Sequence, residues 1–210
     1  MSDTAGALQH PWPDLRMQRA GVGLGMWMFL ASEVLFFGGL MVSYAVYRSF
    51  NEDAFRIAGA HAQIVYGSIN TVILLTSSFT MTVALRAATA NVRQASLLFL
   101  GITAALGIAF LVCKGLEYRE DLKEHLFPGP QFPLSPPATA MFWGFYWAMT
   151  GIHAVHLTAG IAVVLVVWTL FKRRVIPVQG STMEGVAIYW HFVDSVWIVL
   201  FPLLYLAGRS

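Results

Sequence analysis

Residues 20–47, AGVGLGMWMFLASEVLFFGGLMVSYAVY, decide the fold. The only formal charge among these 28 residues is Glu33. At ~1.5 Å of rise per residue the stretch can cross a hydrocarbon core of ~30 Å, and Glu33 falls near its middle. An ionised, unpaired carboxylate at that depth costs at least a few kcal/mol. Glu33 is therefore expected either to be protonated or to face protein and hold a hydrogen-bonding partner.

The same kind of stretch recurs along the chain. Residues 57–85, 94–113, 125–171 and 185–208 are free of charge or nearly so, with Asp194 the acidic residue of the last. Of the 210 residues 57% are hydrophobic and 11% charged, against ~25% charged in a soluble domain. These features predict an all-α, polytopic membrane protein. A single domain over 22–210 would form a bundle of five transmembrane helices at about 22–47, 64–85, 95–116, 139–171 and 186–208. No separate soluble domain fits, because the longest polar connections are an N-terminal tail over 1–21 and a Pro-rich loop of about 20 residues. That tail lacks a short apolar region followed by a small-residue cleavage site, so it is read as retained.

Composition excludes several functions. The single cysteine, Cys113, rules out internal disulfides and CxxC chemistry. A net charge of +2 without a basic tract gives no ground for nucleic-acid binding. The loop 49–63 reads as polar, and the hydroxyl-rich second helix, with Asn70, Thr71, Ser77, Ser78 and Thr80, reads as a helix-packing surface. The segment KGLEYREDLKEHLFPGPQFPLSPP reads as the exit of helix three followed by an extended cap, because successive prolines break a helix.

Helix four contains TGIHAVHLTAG, with His153 and His156 three apart; helix five places His191 and Asp194 at the same interval. Measured from their helix ends, Glu33, His153, His156, His191 and Asp194 reach comparable depth, and a mid-membrane polar network is expected from them. Two histidines three apart on one helix cannot take opposite axial positions of one haem, and no defined carboxylate set accompanies them. No catalytic, cofactor-binding or metal-ligating residue is assigned. A transporter using Glu33 as its ion site is the reading from a different class, although the broken, repeated helices of such proteins are absent.

Four motifs carry a family resemblance. MWMFLASEVLFFGGL resembles the Glu-bearing helix of the haem-copper oxidase subunit III family, KGLEY the end of the helix that precedes the TGxHxxH motif, TGIHAVHLTAG that motif itself, and YWHFVDSVWIVLFPLLY the C-terminal helix. They occur in the family's order and the similarity covers 21–208. The resemblance implies a non-redox core subunit of a proton-pumping terminal oxidase in aerobic respiration, with haem and copper in the large subunit I. It further implies direct packing on subunit I, subunit II and other oxidase subunits as neighbours, structural phospholipid, and support of proton uptake. The two helices that precede the Glu-bearing helix in the longer form are lacking, which is similar to five-helix bacterial versions.

The electron donor implied is cytochrome c, with quinol oxidases and relatives associated with nitric oxide reductases as the alternatives. The location implied is the bacterial inner (plasma) membrane. With five spans, seven Lys/Arg including Lys172, Arg173 and Arg174 share the N-terminal side against six on the other, so the N-terminus is placed in the cytoplasm and the C-terminus outside.

Overall fold

The computed structural model describes residues 15–176 and 181–206. Residues 1–14 of the expected tail and the expected end of the last helix at 207–208 lie outside the described residues. The described chain is all-α: α1 (Leu15–Phe50), α2 (Glu52–His61), α3 (Ile64–Thr89), α4 (Arg93–Lys123), α5 (Ala138–Lys172) and α6 (Ser181–Phe201), continued by a π-helical turn, Pro202–Leu206. Five segments are long and apolar enough to cross a membrane: Gly23–Phe50, Ile64–Thr89, Arg93–Lys123, Ala138–Lys172 and Thr182–Leu206.

Helices α3, α4, α5 and α6 pack around a common axis, each against the next, and α1 lies outside them against α5 and α6. The core is aromatic, with Phe110, Phe142, Trp143, Tyr146, Trp190 and Trp197 fully enclosed. Two close approaches set the spacing. A Cβ on Gly107 of α4 would sit 2.9 Å from both Ile161 and Trp190, and one on Gly160 would sit 3.2 Å from Tyr189. Hydroxyls of α3 meet the other helices: Ser77 accepts from Trp190 Nε1 at 3.2 Å, Thr71 from Trp197 Nε1 at 3.1 Å, and Thr80 pairs with Thr103 at 2.8 Å. Such polar contacts bind helices together where lipid supplies no hydrophobic drive.

Besides beginning α1 at Leu15, inside the expected tail over 1–21, the structure departs from the sequence reading in three places. First, the polar loop after α1 holds a short helix, α2. Glu52 and Asp53 sit in its first turn, where acidic groups favour the helix dipole, and Ala54, Phe55 and Ala58 bury one face. Phe55 stands edge-on to Tyr44 and Phe142 at 5.3 and 5.7 Å. Second, α4 runs seven residues beyond its expected end at 116, to Lys123, so KGLEYRED is helix and not exit loop. It stops at His125, whose φ of 56° is left-handed. There the His125 N–H bonds Leu122 O and the Leu126 N–H bonds Asp121 O, the paired closure of a Schellman turn. Asn91 and Arg174 close α3 and α5 in the same way. Third, the last helix begins at Ser181, before its expected start at 186, and changes pitch at Pro202, which has no N–H for the α ladder.

Candidate functional site

Glu33 and His156 each lie at the midpoint of their helix, α1 and α5, and they meet. His156 Nε2 is 2.9 Å from Glu33 Oε2. The other ring nitrogen, Nδ1, is 2.9 Å from Ile152 O, and a carbonyl can only accept, so Nδ1 carries hydrogen. One further proton then lies between Nε2 and the carboxyl. It sits on either atom, giving a neutral pair or an ion pair; without it a nitrogen and an oxygen lone pair would face each other at 2.9 Å. The backbone of His156 is fixed from α6, where Tyr189 donates to His156 O at 2.9 Å. Phe37 stands edge-on to the imidazole at 5.2 Å. The pair is not sealed: the His156 side chain remains 20% and that of Glu33 17% exposed, on the flank where α1 leans on the bundle.

The remaining members of the expected network lie elsewhere. His153 points into the core, wholly buried between Phe110 and Trp197, its ring centre 5.6 and 5.2 Å from theirs, with no hydrogen-bond partner among the described residues. His191 faces α3, where Nδ1 meets Ser78 Oγ at 2.8 Å and Nε2 meets Thr82 Oγ1 at 3.4 Å. The Thr82 hydroxyl donates to Ser78 O, so it accepts from Nε2–H, and Nδ1 accepts from Ser78. Asp194 is buried beside Ser78. The five residues thus occupy three places, of which only Glu33–His156 joins two of them directly.

A second ionisable cluster was not anticipated. Lys114, Glu117 and Asp121 are buried on one face of α4, spaced by one turn and then by four residues. Lys114 Nζ donates to Tyr146 Oη at 2.9 Å and to Tyr205 Oη at 2.7 Å, and is ion-paired to Glu117 Oε2 at 3.0 Å. It lies over the rings of Tyr146 and Tyr118 at 4.5 and 4.8 Å. Tyr205 reaches the cluster from the π-helical turn, and Tyr44 of α1 anchors that turn by donating to Leu203 O at 2.9 Å. The signal lay in the spacing of 114, 117 and 121, legible once the helix is carried past 116.

Among the described residues no three His, Cys, Asp or Glu side chains converge as a metal site. The arrangement defines a multi-pass membrane protein whose polar chemistry lies inside the bundle and on one flank. Comparison with known proteins specifies it further. The family model for cytochrome c oxidase subunit III matches residues 14–209, and the chain belongs to that family. It is 34% identical over 201 residues to cytochrome c oxidase subunit 3 of Synechocystis, covering 94% of this chain and 78% of the relative. To cytochrome c oxidase subunit 3 of Thermostichus vulcanus it is 35% identical over 204 residues, covering 95% and 91%. Quinol oxidase subunit 3 of Bacillus spizizenii is 29% identical over 191 residues, covering 88% of this chain and 86% of the relative. The chain is thus a subunit III of the haem-copper oxidases, and other oxidase subunits are its partners.

Proposed function

We propose that this chain is a non-redox core subunit of a proton-pumping oxidase in a bacterial plasma membrane. In this reading it packs directly on the large subunit I, which carries the haem and copper, near subunit II. It holds phospholipid and supports proton uptake into its neighbour. The observation that carries the reading is the Glu33–His156 pair: a shared proton at mid-membrane depth, open sideways and away from the bundle axis. A group placed so exchanges protons or contacts with whatever lies against the flank, either lipid or the large subunit. An open apolar groove of about 470 Å³ runs along another face of α5, lined by Ala154, Val155, Thr158, Ala159 and Ala162, and it suits an acyl chain. The N-terminus is placed in the cytoplasm, from the Lys172, Arg173 and Arg174 cluster. Cytochrome c is favoured as electron donor, since the relatives from Synechocystis and Thermostichus vulcanus bear that name, with quinol as the second reading from the Bacillus relative.

The test is Glu33→Gln in the assembled complex, comparing the initial rate of oxygen reduction, proton uptake and the number of turnovers before inactivation. The expected result is an initial rate within about twofold of the parent, because no reacting atom is touched, with slower proton supply or a shortened working life. Immediate and complete loss of turnover in an intact complex would overturn the proposal in favour of direct catalysis. Purification of the chain alone, without oxidase subunits, would favour an independent transporter.

A further inference from the structure

The cluster around Lys114 contains more polar pairings than its fixed hydrogens can fill. Three of them join oxygen to oxygen: Tyr146 Oη to Glu117 Oε1 at 2.6 Å, Tyr205 Oη to Glu117 Oε1 at 2.6 Å, and Tyr146 Oη to Asp121 Oδ2 at 3.0 Å. Each needs a hydrogen. The lysine hydrogens are directed at Tyr146, Tyr205 and Glu117 Oε2 from nitrogen, and none lies between two of these oxygens. The two phenols supply one hydrogen each, which leaves one oxygen pair without any. With both carboxyls ionised, a phenol oxygen and a carboxylate oxygen would face each other bare, in a site where Glu117 is fully buried and Asp121 is 1% exposed. An uncompensated lone-pair contact of this kind is costly where water cannot screen it.

We infer that Asp121 and Glu117 form a proton-binding site holding one proton beyond those of Lys114 and the two tyrosines, and that Asp121 carries it. The distances decide which carboxyl is ionised. The two hydrogen bonds to Glu117 at 2.6 Å have the length of hydroxyl-to-carboxylate bonds, while the 3.0 Å pair to Asp121 has that of a neutral one. Tyr146 donates to Glu117, so its oxygen accepts from Lys114 and from Asp121 Oδ2–H. The cluster is then neutral: one cation, one anion and one carboxylic acid. The other oxygen of Asp121, Oδ1, has no partner among the described residues, which an ionised carboxylate would need more than an acid does.

The charged and titratable groups that bear on Asp121 are Lys114 and Glu117 from α4, Glu124 just past its end and Tyr146 from α5. Tyr205 joins them through Glu117, and Tyr118 is bonded to Thr150 at 2.7 Å. Glu120 turns outward to Tyr66 of α3 at 2.9 Å, so it does not fill the missing position. Release of the proton breaks the Asp121–Tyr146 bond first. The ligand of this site is a proton exchanged from the side of the bundle that holds the 124–137 loop, the face opposite the α3–α4 turn.

The experiment is infrared difference spectroscopy of the purified oxidase complex, parent against Asp121→Asn, in which the amide donates to Tyr146 as the acid does. The expected result is an assembled variant lacking one protonated-carboxyl C=O band of the parent. Bands of Glu33 and Asp194 cancel in the difference. Loss of ionised carboxylate bands instead, with no protonated band removed, overturns the inference. If Asp121→Asn does not assemble, Tyr146→Phe is read in its place. Removal of the phenol oxygen deprives the acid of its acceptor, and a protonated-carboxyl band must shift to higher frequency; an unchanged band region overturns the inference.

Discussion

The Lys114 cluster and the Glu33–His156 pair are built from the same materials, an acid facing a base at the end of a long side chain, yet they sit in opposite surroundings. Lys114 is 2% exposed and Glu117 fully buried, enclosed by Tyr146, Tyr205, Tyr118 and Trp197. Glu33 and His156 keep about a fifth of their surface open. A sealed pair whose every hydrogen is directed fixes the positions of α4, α5 and the π-helical turn. An open pair contributes less to the fold, and its proton is within reach of a neighbour. The difference lies in enclosure, not in residue type.

The comparison can be broken most forcefully at Lys114. Lys114→Met removes the only cation of the sealed cluster and leaves Glu117 as a buried anion, at a cost of about 3–5 kcal/mol. The amount of assembled complex in membranes is expected to collapse. Lys114→Met combined with Glu117→Gln is expected to recover much of it, since a neutral pair needs no counter-charge. If the single change assembles normally, the cluster is not the clamp described. Next in size is Gly107→Ala, which places a methyl group 2.9 Å from two core side chains and is expected to cost about 1–3 kcal/mol, read as a lowered thermal midpoint of the complex in detergent.

At the open pair, a double-mutant cycle with Glu33→Gln and His156→Phe should give a coupling of about 1 kcal/mol in thermal stability. A coupling as large as that at Lys114 and Glu117 would erase the distinction between the two regions. The smallest effect is expected at the end of α4. His125→Gly relieves a left-handed residue, a strain of about 1–2 kcal/mol, while making the unfolded chain more flexible, so the net change in stability should stay below about 1 kcal/mol.

The five spans were legible because charge is scarce along them and dense between them, and Glu33 stood out as the exception. That Glu33 would find a histidine of TGIHAVHLTAG also followed from depth. Which histidine did not. Residues three apart on a helix differ by 300°, so His153 and His156 point about 60° apart. On a helix at the edge of a bundle that angle separates the core from the flank, and His153 ends among rings while His156 reaches α1. The sealed cluster was hidden for another reason. Five prolines downstream and a run of charges drew the expected end of α4 back to 116, although the helix ends seven residues later, at Lys123, and is closed by a left-handed His125 where a glycine would be the usual marker. Once 117 and 121 are assigned to the loop, the face they share with 114 cannot be seen. Short α2 was masked by polar residues that cover only its outer side.

The order of the chain gives the sealed cluster a history. Helix α4 leaves the ribosome before α5, and well before the turn that bears Tyr205. Lys114 and Glu117 therefore reach the membrane paired with each other one turn apart, with Tyr118 and Asp121 of the same helix beside them, able to enter as a neutral unit. Tyr146 arrives with the next crossing, and Tyr205 completes the site only when the last helix has bent at Pro202. Until then the lysine lacks the two phenol oxygens that accept its hydrogens in the finished bundle.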